Sequence, residues 1–181
     1  MTSENIRVDA QLMTGLQINA VTARTWVFDA VKYIARHYPL ACPKKTVTFT
    51  AVVPHDEYQI EDELVRIDKI CESGEFRPIT AKFYEADELG NISFAAMGTY
   101  DITYRYVPDL ESLNESSQLP IPDRFAEAIK YYVSARIRGR IFGQGDSDAQ
   151  NYDALFGQYV MDANITMQGT NRRQRRLPPR I

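Results

Sequence analysis

Residues 46–53 read TVTFTAVV. Val47, Phe49, Ala51 and Val53 fall on one side and Thr46, Thr48 and Thr50 on the other, the period of two that puts successive strand side chains on opposite faces of a sheet. Just upstream the period is different. Between residues 20 and 38, Val27, Ala30, Val31 and Ile34 recur at helical spacing, with Arg24, Lys32 and Arg36 left for water. Pro39 and Pro43 end that segment, because proline cannot donate to a helical ladder. The chain passes from a helix into a sheet within a few residues, and the fold depends on whether it returns.

Four more stretches follow the strand logic: LVRIDKI (64–70), RPITAKFYE (77–85), NISFA (91–95) and TYDITYRYV (99–107). Turn signals around Gly74 and Gly90 separate them. Short strands and tight turns predict an antiparallel meander or a small sandwich. The last strand puts Tyr100, Ile102, Tyr104 and Tyr106 on one face, where aromatic side chains suit core packing; a ligand platform is the alternative. Upstream of the first helix, LMTGLQI (12–18) is apolar but interrupted by Gly15, and helix, edge strand and loop all remain open for it.

After the sheet the chain does return. PDLESLNESSQLPIP (108–122) is polar and bounded by prolines, a loop that leaves the strands. Pro122 and Asp123 suit the start of a helix, whose buried stripe is Phe125, Ala128, Ile129, Tyr132 and Ala135 and whose last turns carry Arg136, Arg138 and Arg140. FGQGDSD (142–148) breaks it: Gly143 and Gly145 suit a C-cap, Asp146 or Ser147 an N-cap. A second helix carries Tyr152, Leu155, Phe156, Tyr159, Val160 and Ala163 and fades near Met167. Two helices joined by a short glycine turn should pack antiparallel. The fold class is therefore α+β: a helical bundle from residues 1–45 and 109–168, an antiparallel β insertion at 46–108, and an extended basic arm at 169–181.

At 181 residues and 44% hydrophobic content, the chain buries roughly 70% of its unfolded surface. Two cysteines, Cys42 and Cys71, are too few for a disulfide framework or a cysteine-rich zinc site. The opening MTSENIRVDAQ has no cationic segment before an apolar run, and no stretch approaches the roughly 20 apolar residues of a membrane span. These features predict a soluble protein made in cytoplasm, with no membrane association.

Candidate chemistry reads as structure. His37 sits at a helix end as a capping cation, and His55, Asp56 and Glu57 share a solvated turn. Glu61, Asp62 and Glu63 are adjacent, so they point apart and fit a polar hairpin tip better than an acid–base pair. Cys42 lacks a neighbouring histidine or helix start to lower its thiol pKa. GQGDSD follows a helix and lacks the lysine of a phosphate loop. The expectation is no catalytic residue, no cofactor and no metal; a hydrolase built on His55 and its acids is the weakest rival.

The ending NRRQRRLPPRI differs. Its five arginines stand without an acid in a chain of net charge −3, leaving the rest near −8. A solvated terminus or a nucleic-acid contact are both open, although a negative body repels phosphate. A third reading is a docking arm for an acidic protein groove. Arg172, Arg173, Arg175, Arg176 and Arg180 supply bidentate donors, Leu177 and Ile181 apolar anchors, and Pro178 and Pro179 a stiffened backbone.

The run LPIPDRFAEAIKYYVSARIRGRIFGQGDSDAQNYDALFGQYVMDAN (119–164) resembles the C-terminal helical block of the head-to-tail adaptor family of short-tailed bacteriophages, the tail tubular protein A-like proteins. GNISFAAMGTYDITYRYVPDL (90–110) is similar to that family's final strands, and the resemblance covers roughly residues 47–164. Those adaptors carry more helix ahead of the sheet than the one clear helix read here. The resemblance implies a virion structural protein at the head–tail junction. Such proteins form a dodecameric ring under the portal protein, with the bundle, held by Phe125, Ile129, Tyr132, Tyr152, Phe156 and Tyr159, against portal and neighbours. The β region faces the tail nozzle protein, and C-terminal arms grip the portal. DNA passes through the lumen, where an acidic lining would let a polyanion slide. The rival from another class is a carbohydrate- or peptide-binding β module using Tyr100, Tyr104 and Tyr106.

Overall fold

The computed structural model describes residues 1–143 and 145–176. They form two compact units. The helical unit is built from Met1–Ala41 and the chain from Asp109 onward, and the β unit is Cys42–Pro108. The sheet is thus an excursion between two parts of one helical core.

The helical unit has four α-helices: α1 (Ser3–Thr14), α2 (Ala20–His37), α3 (Ala126–Phe142) and α4 (Ser147–Arg176). Of the stretch left open in the sequence, residues 12–14 form the last turn of α1, Gly15 caps it, and residues 16–18 are the loop into α2. Thr2 caps the start of α1, its hydroxyl oxygen accepting from the Asn5 N–H, and Gly15 ends the helix at φ 68°, donating to the Gln11 carbonyl. A left-handed C-cap is the conformation for which glycine replaces other residues. Asn19 caps α2 through the Thr22 N–H at 2.8 Å. Ile6 and Ala10 of α1, Val27, Val31 and Ile34 of α2, and Phe125, Ile129, Val133 and Ile137 on and just before α3 meet in one core. The connecting loop contributes Leu110, Leu119 and Ile121 to the same core.

Helix α3 is buried on more sides than a single stripe predicts, because α1, α2 and α4 all pack against it. Phe125 and Ile129 are fully buried and Phe156 nearly so, whereas Tyr132 and Tyr152 are half-buried and Tyr159 is exposed. Tyr132 packs edge-on against Phe156 at 5.1 Å and lies under the Arg136 guanidinium at 4.6 Å. Tyr132→Asp should therefore lose only about 1–2 kcal/mol, since its carboxylate can face Arg136 and water. Val133→Asp, with no exposed surface, should lose about 3 kcal/mol or more. Urea unfolding of the two variants checks the order.

Helix α4 does not fade near Met167 but continues through Arg176, so an extended arm beginning at 169 is corrected to a helical segment over its first eight residues. Gly169 costs the helix about 1 kcal/mol, yet no proline follows until 178, and arginine and glutamine are good helix formers. Arg172, Arg173, Arg175 and Arg176 fall within this helix. Leu177, Pro178, Pro179, Arg180 and Ile181 lie outside the described residues.

The β unit is a small sandwich of two three-stranded antiparallel sheets. Its strands are β1 (Lys44–Ala51), β2 (Asp56–Gln59), β3 (Leu64–Glu72), β4 (Tyr84–Ala86), β5 (Asn91–Phe94) and β6 (Gly98–Tyr106). The sheets have the orders β1-β6-β3 and β2-β5-β4, so β6 returns between β1 and β3 and the connection is not a meander. The two sheets meet through Phe94, which stacks on Tyr100 at 4.2 Å and on Phe49 at 5.5 Å. On the outer face of β1 and β6, Thr46 bonds Thr103, Thr48 donates to Asp101 and Thr50 bonds Thr99. Strand β1 ends at Ala51, leaving Val53 exposed in the turn instead of buried. Of RPITAKFYE only the last residues pair as a strand. Earlier in it the chain makes a single bridge, Cys71 to Pro78.

Candidate assembly surfaces

Of the residues first considered for chemistry, His37, Asp56, Asp62 and Asp146 are engaged in holding the fold. The His37 ring stacks on Tyr33 at 4.2 Å and its Nδ1 lies 2.8 Å from the Tyr33 carbonyl, a side-chain bond across the last turn of α2. His55 takes φ 64° in the turn between β1 and β2, and Asp56 closes that turn by accepting from the Val52 and Glu57 N–H groups. Asp62 accepts from the Tyr104 hydroxyl and pairs with Lys45 at 2.9 Å. In the GQGDSD turn, Gly143 donates to the Gly139 carbonyl. Asp146 caps α4 through the Ala149 N–H and binds Arg138 Nε and Nη2, each at 2.9 Å. This clamp fixes the angle of the α3–α4 hairpin.

Cys42 is buried, and burial pushes its thiol up to about 11 against the opposing fields of Arg105 and Arg66. Those arginines, invisible from local sequence, are in place, yet desolvation prevails and disfavours thiolate chemistry. They belong to a hub on the outer face of β1-β6-β3. Asp68 receives Arg105 Nε and Lys44 Nζ, both at 3.0 Å, together with Arg66, while Arg105 Nη1 donates to the Cys42 carbonyl at 2.8 Å. Burial alone would raise the Asp68 carboxyl; bonds from Arg66 and Lys44 and the field of Arg105 outweigh it and hold the group below the ordinary carboxylate range. Sequence spacing gave no hint of the hub, because it joins three strands.

Tyr100 and Tyr104 are buried in the sandwich core and Tyr106 is half-buried. The tyrosine face packs the two sheets together, as cross-strand aromatics do, and offers no open platform for a glycan. Burial and then the Asp62 carboxylate push the Tyr104 phenol up to about 12. The unfolded phenol titrates near ~10, so below that pH both states keep the proton and the bond contributes fully. From there to about 12 the unfolded state loses its proton first, and stability should fall. Urea midpoints of wild type and Tyr104→Phe across this range isolate the effect, with the variant lacking this component of the decline.

What the molecule does present is apolar surface. Lys44 pairs with Arg105 and Leu64 with Tyr106 at the end of the sandwich where the chain enters and leaves; Ala51 pairs with Gly98 and Glu72 with Tyr100 at the other end. The loops at that far end expose Val52, Val53, Phe83, Met97 and Phe76, the last 90% exposed. Five large apolar side chains at one tip exceed the scattered exposure normal for a surface. The β unit otherwise carries twelve acids against seven cations. On the outer face of the second sheet, Glu57 and Glu85 stand exposed on either side of Ser93. In the helical unit, Val8 and Leu12 of α1, Ile141 and Phe142 of α3, and Met161 and Ile165 of α4 are exposed. Among the described residues, no helix is long and apolar enough to cross a membrane. No family model and no curated protein matches the chain.

Proposed function

We propose that the chain is a head-to-tail adaptor of a short-tailed bacteriophage virion, a ring-forming structural protein that joins the portal to the tail nozzle and lets DNA pass. The observation that carries this reading is the architecture: a helical unit interrupted by a β sandwich with an apolar tip, followed by a helix that ends in arginines. Apolar side chains on both units suit a molecule whose surfaces are covered in an assembly. Helix α1 adds the helix ahead of the sheet that the resemblance calls for. In this reading the sandwich tip meets the nozzle, the arginine-rich end of α4 and the residues after it meet an acidic portal groove, and the acidic β unit keeps DNA from sticking.

The test uses the portal encoded near this chain in its source genome. Native mass spectrometry should find one copy bound per portal subunit. Truncation after Gln168 should abolish or weaken binding while the urea transition of the remaining chain stays in place; binding undiminished by the truncation rejects the arm's role. A chain that ignores the portal altogether overturns the adaptor reading.

A further inference from the structure

Helix α1 carries an anomaly on its solvent side. Ile6 and Ala10 point into the core, so helical spacing sets Val8 and Leu12 at the centre of the opposite face, flanked by exposed Glu4 and Asp9. Leu12 is 77% exposed. A solvent face with two aliphatic residues at its middle and acids at its rim has the pattern of an interface.

The complement lies on the same unit. Beside the α3–α4 hairpin runs a groove lined by Ala135, Arg136, Gly139, Ala149, Gln150 and Asp153. It is open because its floor is small: a Cβ added at Gly139 would meet nothing within 4 Å. Arg136 on its wall and Arg140 one turn further along α3 are both exposed. Among the described residues, neither arginine has an acidic partner, and neither Glu4 nor Asp9 has a cationic one. A molecule cannot fill its own groove with α1. That helix packs against another side of α3, where the Ser134 hydroxyl lies 3.4 Å from the Met13 sulfur, and Val8 and Leu12 face away.

We infer that the α1 face of one copy docks on the α3–α4 groove of the next. Val8 and Leu12 enter over Gly139, and Glu4 and Asp9 meet Arg136 and Arg140. The two surfaces differ, so the contact is heterologous, and repetition closes a ring when the rotation allows it. The inference takes the ring from the adaptor reading and names the surfaces that would close it; charge complementarity selects the occupant as a second copy of this chain. Asp153 opposes the pairing by one charge, leaving the arginines in excess.

The test uses full-length protein with two single-cysteine substitutions, Leu12→Cys and Gly139→Cys, under mild oxidation. Mixing them should give 12–139 cross-links between copies, while each alone gives none; 12–12 or 139–139 links as the main products overturn the inference. Reversing charge with Glu4→Arg and Asp9→Arg, or with Arg136→Glu and Arg140→Glu, should weaken self-association by about tenfold or more, and combining both sets should restore it. Reversals without effect, reversals not rescued by the combination, or a chain monomeric with and without portal likewise overturn it. Cross-linked assemblies that never bind portal would uphold this contact and reject the adaptor reading. Portal binding that survives every reversal with no 12–139 link would do the opposite.

Discussion

Phe94→Ala is expected to destabilise the β unit by about 3–5 kcal/mol, the cost of emptying a fully buried aromatic site. Phe94 has no exposed surface and lies on β5, the central strand of the smaller sheet, with its ring against Tyr100 and Phe49 of the larger one. Its removal takes away the fully buried ring at the centre of the contact between the sheets, leaving Phe49 against Tyr58 at 5.3 Å. Phe94→Leu retains most of the apolar volume and should lose less, about 1–2 kcal/mol. Chemical denaturation followed by the near-ultraviolet signal of the tyrosines measures both, and a loss below about 1 kcal/mol for Phe94→Ala would show that the sheets are held together elsewhere.

The second large effect is electrostatic. Asp68→Ala should lose about 3 kcal/mol, because it leaves the buried Arg105 without its carboxylate; Lys44 and Arg66, half exposed, can turn to water and keep the loss from being greater. Replacing both buried partners, Asp68→Leu with Arg105→Met, should recover most of it, since the penalty comes from an orphaned charge more than from a lost attraction. The same site sets an acid limit. The folded carboxyl lies below its ordinary value, so its contribution is complete above the unfolded pKa near ~3.9 and disappears as pH falls through the folded one. The acid limb of the stability curve should be shallower in Asp68→Ala than in wild type. An identical limb in both would remove Asp68 from the acid transition.

Much of the fold can be read from local pattern, and the failures have identifiable causes. Helix α2, strands β3, β5 and β6 and the α3–α4 hairpin announce themselves through periodicity and caps. Helix α1 does not, because Gly15 reads as an interruption until its role as a left-handed terminator is weighed with Thr2 as N-cap. Strand β2 is short and polar, and only pairing with β5 makes it a strand. The segment from Arg77 fails the other way: Pro78 has no N–H to give a ladder, so an alternating pattern makes one bridge there. The sheet order and the Asp68 hub lie beyond any local reading, since both depend on β6 crossing between β1 and β3. The proposed assembly face was hidden for a different reason. Val8 and Leu12 look like core residues in sequence, and only the helix orientation shows that they face water.

The insertion also sets a schedule for the birth of the molecule. Cys42–Pro108 is one continuous stretch that can close its sandwich as soon as β6 has left the ribosome, whereas α1 and α2 must wait for α3 before their shared core exists. Folding of successive units during synthesis proceeds in the order in which each becomes complete, so here the middle of the chain finishes before its beginning. A nascent chain halted soon after the connecting loop would carry a finished sandwich and a bare apolar stripe on α2, and that interval is when a chaperone has most to hold.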